Sequence, residues 1–490
     1  MTSNALKYGT ATRIVVVVAA LVAAHPASAS RCSDLIQQFG GLLADAVCVD
    51  SADLTTANPA TTPANDSLVG LPAFAFTPQT DRNVIAPVAA DRTPITGPVP
   101  GVQLNARIAG DPTGQARFLL RLPDQWNGRL VVAGASGTRS EFNGDFAWSD
   151  YVIQKHYAYA SQNKGVLNLQ LSTSADPLGC RLNPSLQVFV HFYDNGPGQE
   201  FTRWRHFMVE AGKLAHKGVQ IHYGSAPRYT YAVGTSNGGY QVRRAIETAP
   251  EVFDGGVDWE GTFVDAGAPN LLTDLPAGVL NYPDYAASGF SAASTAAQNI
   301  RAAGYPPDLV AGTASLWGTY SAAFWEVTLC QWQKRLDPGY ATYSAGTGSY
   351  NYIARLSVSD VGTQLAAFAT TGRIQRPLIT VAGTLDALLP IDHHARAYAR
   401  KVASRADEGD RDDGPPYRLY EVQNGNHIET YRATFSQLEL IEPHAQHAFD
   451  LMVDHVEHGA ELPPDQCIPR GGAIASSPSQ SGHCAALMAP

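Results

Sequence analysis

The stretch Tyr229-Thr230-Tyr231-Ala232-Val233-Gly234-Thr235-Ser236-Asn237-Gly238-Gly239-Tyr240 decides the fold. It opens with a strand-like run, Tyr229 to Val233, and leads into a helix-like run from Tyr240 to Thr248. Between them stands Gly-x-Ser-x-Gly, the pattern of a nucleophile elbow. So tight a turn leaves almost no room for flanking side chains, and Gly234 and Gly238 relieve the crowding. Ser236 is then exposed at the carboxyl end of its strand. The amides of the following helix, beginning with Asn237, point at the same spot, where an oxyanion would form. The plain alternative is a Gly/Ser-rich structural turn.

A serine hydroxyl is a poor nucleophile until a base takes its proton, and the base needs a carboxylate to orient it. In the order serine, acid, histidine, both partners lie downstream on later strand ends. Asp386 follows the apolar run Pro377-Leu378-Ile379-Thr380-Val381-Ala382, and His427 follows Tyr417-Arg418-Leu419-Tyr420-Glu421-Val422. Each sits in a Gly-containing loop. The bland alternatives are a helix-capping aspartate and a surface histidine. Asp392, His393 and His394 fall after Pro390, in a predicted helix. His444, His447, His455 and His458 belong to a late polar helix predicted to face solvent, and His191, His206, His216 and His222 precede the serine. A second oxyanion donor is expected from Gly134-Ala135-Ser136-Gly137, after the buried strand Leu130-Val131-Val132-Ala133, through the amide of Ala135 or Ser136. A plain turn is the alternative there.

Working outward, strands alternate with helical stretches, which predicts an α/β fold: a doubly wound, mostly parallel sheet with helices on both faces. The alternation stops after Trp259 and resumes at Pro377. Residues 263–370, rich in Ala, Gly and Tyr, are therefore expected to form a large inserted lid. Its aromatics, Trp317, Trp325 and Trp332 among them, are candidates for a substrate pocket or for plain lid core. Around this lie an expected amino-terminal arm and linker (30–100), a first part of the sheet domain (101–262), and a second part with a tail (371–490).

The chain has 490 residues and a formal net charge of −10, with no Lys/Arg cluster, so a nucleic-acid partner is disfavoured. Lys7 and Arg13, the apolar run Ile14 to Ala24 and the small residues Ala27-Ser28-Ala29 predict a cleaved export signal over 1–29. That apolar run is short for a membrane span, and none longer follows, so a secreted or periplasmic protein without membrane association is expected. Of the six cysteines, Cys32 with Cys48 and Cys467 with Cys484 would close short loops, which leaves Cys180 with Cys330 by elimination. No Cys-x-x-Cys spacing suggests a metal site, and neither metal nor cofactor is expected.

Several further pieces carry a resemblance: Leu122-Pro123 with Trp126-Asn127-Gly128-Arg129, Tyr223-Gly224 with Tyr229, Ser236-Asn237-Gly238-Gly239, and Glu251-Val252-Phe253-Asp254-Gly255. On these the chain resembles the α/β-hydrolase superfamily and, within it, the tannase and feruloyl-esterase group. That group has a cysteine just before the nucleophile bonded to one just before the histidine; here Thr235 and Asn426 stand there. Its lid often carries a structural calcium, for which this lid shows no acidic ligand loop, and Glu408 to Asp413 reads as a solvated surface loop. The resemblance implies a secreted serine ester hydrolase acting through Ser236, His427 and Asp386 and an acyl-enzyme, on small-molecule or oligomeric aromatic (tannin- or feruloyl-like) esters. Polyester or hydroxyalkanoate oligomers are an alternative substrate class. A prolyl-oligopeptidase-like peptidase and an inactive binding protein of the same fold are the rivals.

Overall fold

A computed structural model describes residues 27–62, 78–83, 85–137, 140–166, 171–172, 189–190, 201–340, 347–405 and 415–490. The expected export signal lies outside these residues up to position 26, and Ala27-Ser28-Ala29 falls in the first turn of helix α1 (Ala27–Phe39). Ten strands form one sheet. They are β1 (Leu43–Ser51), β2 (Gly101–Ile108), β3 (Arg117–Pro123), β4 (Arg129–Ala133), β5 (Ala158–Gln162), β6 (Tyr229–Thr235), β7 (Gly255–Trp259), β8 (Leu378–Gly383), β9 (Tyr417–Val422) and β10 (Gln466–Ile468).

Their spatial order is β1-β2-β3-β5-β4-β6-β7-β8-β9-β10. The pairs β1–β2, β2–β3 and β3–β5 are antiparallel, and every pair from β5 through β4 to β10 is parallel. Parallel strands need both faces covered, and β4, β6 and β8 accordingly read as mostly apolar runs rather than alternating ones, while β7 carries a buried Asp258 paired with Arg243. On one face, α2 (Thr202–Tyr223) and α3 (Asn237–Thr248) press Phe207, Met208, Leu214, Val242 and Ile246 against Leu130, Val132 and Ala232. Trp148, Trp259, Phe449 and Met452 cover the other.

Between Trp259 and Leu378 the chain leaves the sheet. This insertion is built on α4 (Leu271–Ala287), α5 (Thr295–Ala302) and α6 (Glu326–Leu336). Helix α4 starts with a capping box: the Asn270 side chain accepts from Leu272 N (2.9 Å) while Thr273 Oγ1 accepts from Asn270 N (2.9 Å). The insertion packs through Leu275, Tyr285, Trp317, Tyr320, Trp325 and Trp332 into a core continuous with Phe201, Trp204, Tyr240, Leu385 and Ile428 of the sheet domain. It is pinned to the sheet domain by Asp274, whose carboxylate meets His393 Nδ1 at 2.9 Å and His394 Nε2 at 3.2 Å. After these histidines comes α7 (Ala395–Arg405), and α8 (Glu442–His458) closes the far end.

Two expectations change. The stretch 30–100 is more than an arm, since it supplies β1, the edge strand of the sheet, and a buried Ile85. His444 on α8 is buried rather than facing solvent, whereas His447 and His458 are exposed. Cys32–Cys48 and Cys467–Cys484 are disulfides, while the Cys180–Cys330 pairing lies outside the described residues because Cys180 does. The acidic stretch Glu408 to Asp413 lies outside them too. Among the described residues no helix is long and apolar enough to cross a membrane.

Candidate active site

Everything in the site starts from the junction of β6 and α3. Ser236 has φ 60° and ψ −124°, a conformation that non-glycine residues rarely adopt and that surrounding contacts must enforce. Ser236 N donates to Trp259 O (2.9 Å), and Ser236 O accepts from Tyr240 N (3.0 Å). The glycines make the turn possible. A Cβ on Gly234 would stand 2.4 Å from Gly238 O, one on Gly238 2.7 Å from Gly134 O, and one on Gly239 2.2 Å from Asp258 Oδ1.

The loops after β8 and β9 bring two distant side chains to this serine. His427 Nε2 lies 2.9 Å from Ser236 Oγ, and His427 Nδ1 lies 2.8 Å from Asp386 Oδ2. An ionised carboxylate only accepts, so Nδ1 carries the donated proton and Nε2 is left to accept from the serine hydroxyl. Asp386 also closes a turn: its Oδ1 accepts from Leu388 N and Leu389 N, each at 2.7 Å. The two loops are tied together, Asn424 N donating to Thr384 Oγ1 (2.9 Å) and Leu385 N to Gly425 O (2.8 Å). Residues 486–489 brace both. Asn424 exchanges hydrogen bonds with Ala489 N (2.8 Å) and Ala489 O (2.9 Å), Thr384 Oγ1 donates to Leu487 O, and Gln423 Nε2 donates to Ala486 O (2.9 Å). The insertion reaches in as well, through Tyr320 Oη donating to Asn426 Oδ1 (2.8 Å).

A further carboxyl was not foreseen. Glu260 follows β7 directly, has φ 51°, and is 3% exposed. Its Oε1 accepts from Gly383 N (2.9 Å), and its Oε2 lies 3.5 Å from His427 Nδ1. Burial first, and the neighbouring Asp386 charge second, raise this carboxyl well above the usual range. Ligand atoms of Glu260, Asp386 and His427 all lie within 4.8 Å of one another. The only sequence signal was its position: the carboxyl end of the strand next to the elbow strand.

The expected oxyanion loop is engaged differently from expectation. Ala135 N donates to Gln241 Oε1 (2.8 Å), and Ser136 N donates to Asn143 Oδ1 (3.1 Å). Both expected amides are thus directed at side chains. Asn237 opens α3, where the first amides have no partner within the helix. A second unforeseen residue is Lys164, fully buried, whose Nζ donates to Ser136 O (2.7 Å) and Gly137 O (3.1 Å) and lies 4.4 Å from the Trp204 ring centroid.

Ser236, Asn237, His427, Ser136 and Gly137 face a narrow cleft whose other walls are Ile85, Thr262, Leu271, Phe324, Thr328, Leu388, Leu389 and Ile428. The three tryptophans proposed for the pocket are in the core instead. Trp325 Nε1 donates to Ala387 O (2.7 Å), Trp317 packs on Tyr285 (5.0 Å between centroids), and Trp332 packs on Phe201 (5.1 Å). Each is at most 1% exposed. Large aromatic rings gain most by complete burial, and these fill the core shared by the insertion and the sheet domain.

Comparison with known proteins adds two findings. The 3HB-oligomer hydrolase (3HBOH) family model matches residues 345–487, the stretch that holds Asp386 and His427. A D-(-)-3-hydroxybutyrate oligomer hydrolase of Burkholderia mallei is 33% identical over 128 residues, which is 25% of this chain and 18% of that protein's length. Among solved structures, feruloyl esterase B from Aspergillus oryzae superposes with a TM-score of 0.50 at 13% identity, covering 88% of this chain and 90% of its own. An esterase from the same organism gives 0.51 at 14% identity, with the same coverage. The strand order, the strained serine at the end of β6 and these superpositions agree: the chain has the α/β-hydrolase fold.

Proposed function

We propose that this protein is a serine hydrolase of carboxylic esters whose acyl groups are short and aliphatic, with oligomers of 3-hydroxyalkanoates as the first substrate class to test. The observation that carries the reaction type is the hydrogen-bonded run from Ser236 Oγ to His427 Nε2 (2.9 Å) and from Nδ1 to Asp386 Oδ2 (2.8 Å). Ser236 Oγ attacks the ester carbonyl while His427 Nε2 takes its proton. The tetrahedral oxyanion is held by the Asn237 amide at the start of α3, and His427 passes the proton to the departing alkoxide. Water, deprotonated by the same nitrogen, then attacks the acyl-enzyme and frees the acid and Ser236. Asp386 keeps the imidazole in the tautomer this needs.

Two things support an aliphatic acyl group. The cleft walls are mostly Ile and Leu side chains, and the matched family and relative are named for 3-hydroxybutyrate oligomers. Aromatic esters would lean on Phe324, the one phenyl, phenol or indole side chain among the described walls of that cleft. A peptidase would be expected to carry a propeller-like domain, and none is present among the described residues. We also propose export, which the two described disulfides support.

The experiment is a panel of 3-hydroxybutyrate dimer and trimer, p-nitrophenyl butyrate, methyl ferulate and a peptide anilide, run beside Ser236→Ala. Hydrolysis of the aliphatic esters, lost in Ser236→Ala by about 10⁴-fold or more, is the expected result. Preference for the ferulate would move the substrate class to aromatic esters. Absence of both turnover and fluorophosphonate labelling at Ser236 would make it a binding protein.

A further inference from the structure

We propose that Glu260 is a second orienting carboxyl for His427, a positioning residue that stands beside Asp386 on the Nδ1 side and accepts the Nδ1–H hydrogen bond when Asp386 is absent. This rests on Ser236 and His427 carrying the chemistry as proposed above.

The geometry is specific. Glu260 Oε2 is 3.5 Å from Nδ1, against 2.8 Å for Asp386 Oδ2, and it makes no hydrogen bond of its own. The backbone is held against its preference to put it there. Glu260 has φ 51°, a region unfavourable to side chains with a Cβ, and Glu260 N donating to Val381 O (2.9 Å) keeps it in place. Gly383 N donates to Oε1 (2.9 Å), so the side chain is braced from β8 while Oε2 points to the imidazole.

The charge state follows from the neighbours. Asp386 and His427 touch it, Glu429 lies on the His427 loop, and the Tyr320 hydroxyl reaches Asn426 beside His427. Two carboxylates on one buried imidazole cannot both ionise cheaply, and Asp386 accepts from Leu388 N, Leu389 N and His427 while Glu260 accepts from Gly383 N, so Glu260 is the one that keeps its proton. With Asp386 present, Glu260 is a neutral acid and Asp386 carries the charge that balances the imidazolium. Without Asp386 the repulsion disappears, Glu260 releases its proton to solvent, and Nδ1–H donates to the carboxylate Oε2.

The test compares Asp386→Ala, Glu260→Gln and the double variant, each shown to be folded by thermal unfolding, on an ester the wild type cleaves, from pH 5 to 9. Removing an acid with nothing behind it costs about 10⁴-fold. Here Asp386→Ala alone should lose about 10²-fold, and the double variant about 10⁴-fold. Glu260→Gln alone, with Asp386 still in place, should lose less than Asp386→Ala. The residual rate of Asp386→Ala should climb with pH as Glu260 ionises, beyond the His427 limb that the double variant retains. A purely structural role for Glu260 would not produce that climb. Equal rates and equal pH profiles for Asp386→Ala and the double variant would overturn the proposal. If the Glu260 variants do not fold, a profile of Asp386→Ala showing only the His427 limb overturns it equally. Retained activity in Ser236→Ala would instead sink the proposed function, so the two failures are told apart.

Discussion

At the scale of single residues, three glycines and one strained serine decide whether there is a site at all. Gly134, Gly234 and Gly238 approach one another so closely that backbone meets backbone. Gly234→Ala would set a Cβ 2.4 Å from a carbonyl oxygen that cannot swing away. We expect it to cost about 1–3 kcal/mol of stability and to drop kcat by at least about 100-fold, because relief requires the Ser236 turn to open. Gly137→Ala is the control: its Cβ would meet only Asn237 Nδ2, at 3.8 Å, so a normal unfolding midpoint is expected. Thermal unfolding and ester turnover on both variants check the pair.

Among the elements, the loop after β4, which lines the cleft with Ser136 and Gly137, is fastened by Lys164, two residues past β5. Its ammonium bonds the carbonyls of Ser136 and Gly137. Lys164→Met should leave those carbonyls unsatisfied and let the loop drift. The expected outcome is a fall in kcat of about 10- to 100-fold with KM little changed, measured by steady-state kinetics. An unchanged kcat would make Lys164 a mere filler.

The elbow was legible in the sequence because all its causes are local: a strand, two glycines and a helix within twelve residues. Asp386 and His427 were legible for a related reason, since each follows a run of apolar residues in a Gly-containing loop and the chain order leaves few competitors. Their convergence depends on strand order, which the α/β pattern constrains. The remaining features depend on partners far along the chain. Whether the Ala135 amide faces a ligand is decided by Gln241, and the Ser136 amide by Asn143. Glu260 looks like any residue at a strand end until β7 and β8 are neighbours. The tryptophans misled because aromatic side chains serve cores and pockets alike, and composition does not separate the two.

For the molecule as a whole, buried carboxyls set how stability follows pH. Burial pushes Asp150 up to about 6 and Glu442 up to about 7. Between the ordinary carboxylate range and these values, the unfolded chain is ionised while the folded one keeps its protons. The folded state then binds more protons, so these groups destabilise it progressively as pH rises through that window. The unfolding temperature should therefore be higher near pH 5 than near pH 8. Glu442→Gln, which mimics the protonated acid, should shrink that difference, and calorimetry across the range would show it. A steeper pH dependence in the variant would contradict this assignment.

The bond between Cys467 and Cys484 bears on how the protein would survive proteolysis. The segment between them crosses exposed positions such as Arg470, Gly471 and Gly472, where a protease can cut. Such a cut severs the backbone but not the molecule, because the fragment bearing residues 486–489 stays stapled to β10 and goes on holding the Asp386 and His427 loops. A nicked enzyme would therefore keep working in an oxidising environment and fail only when a reductant arrives, making loss of activity a two-hit event.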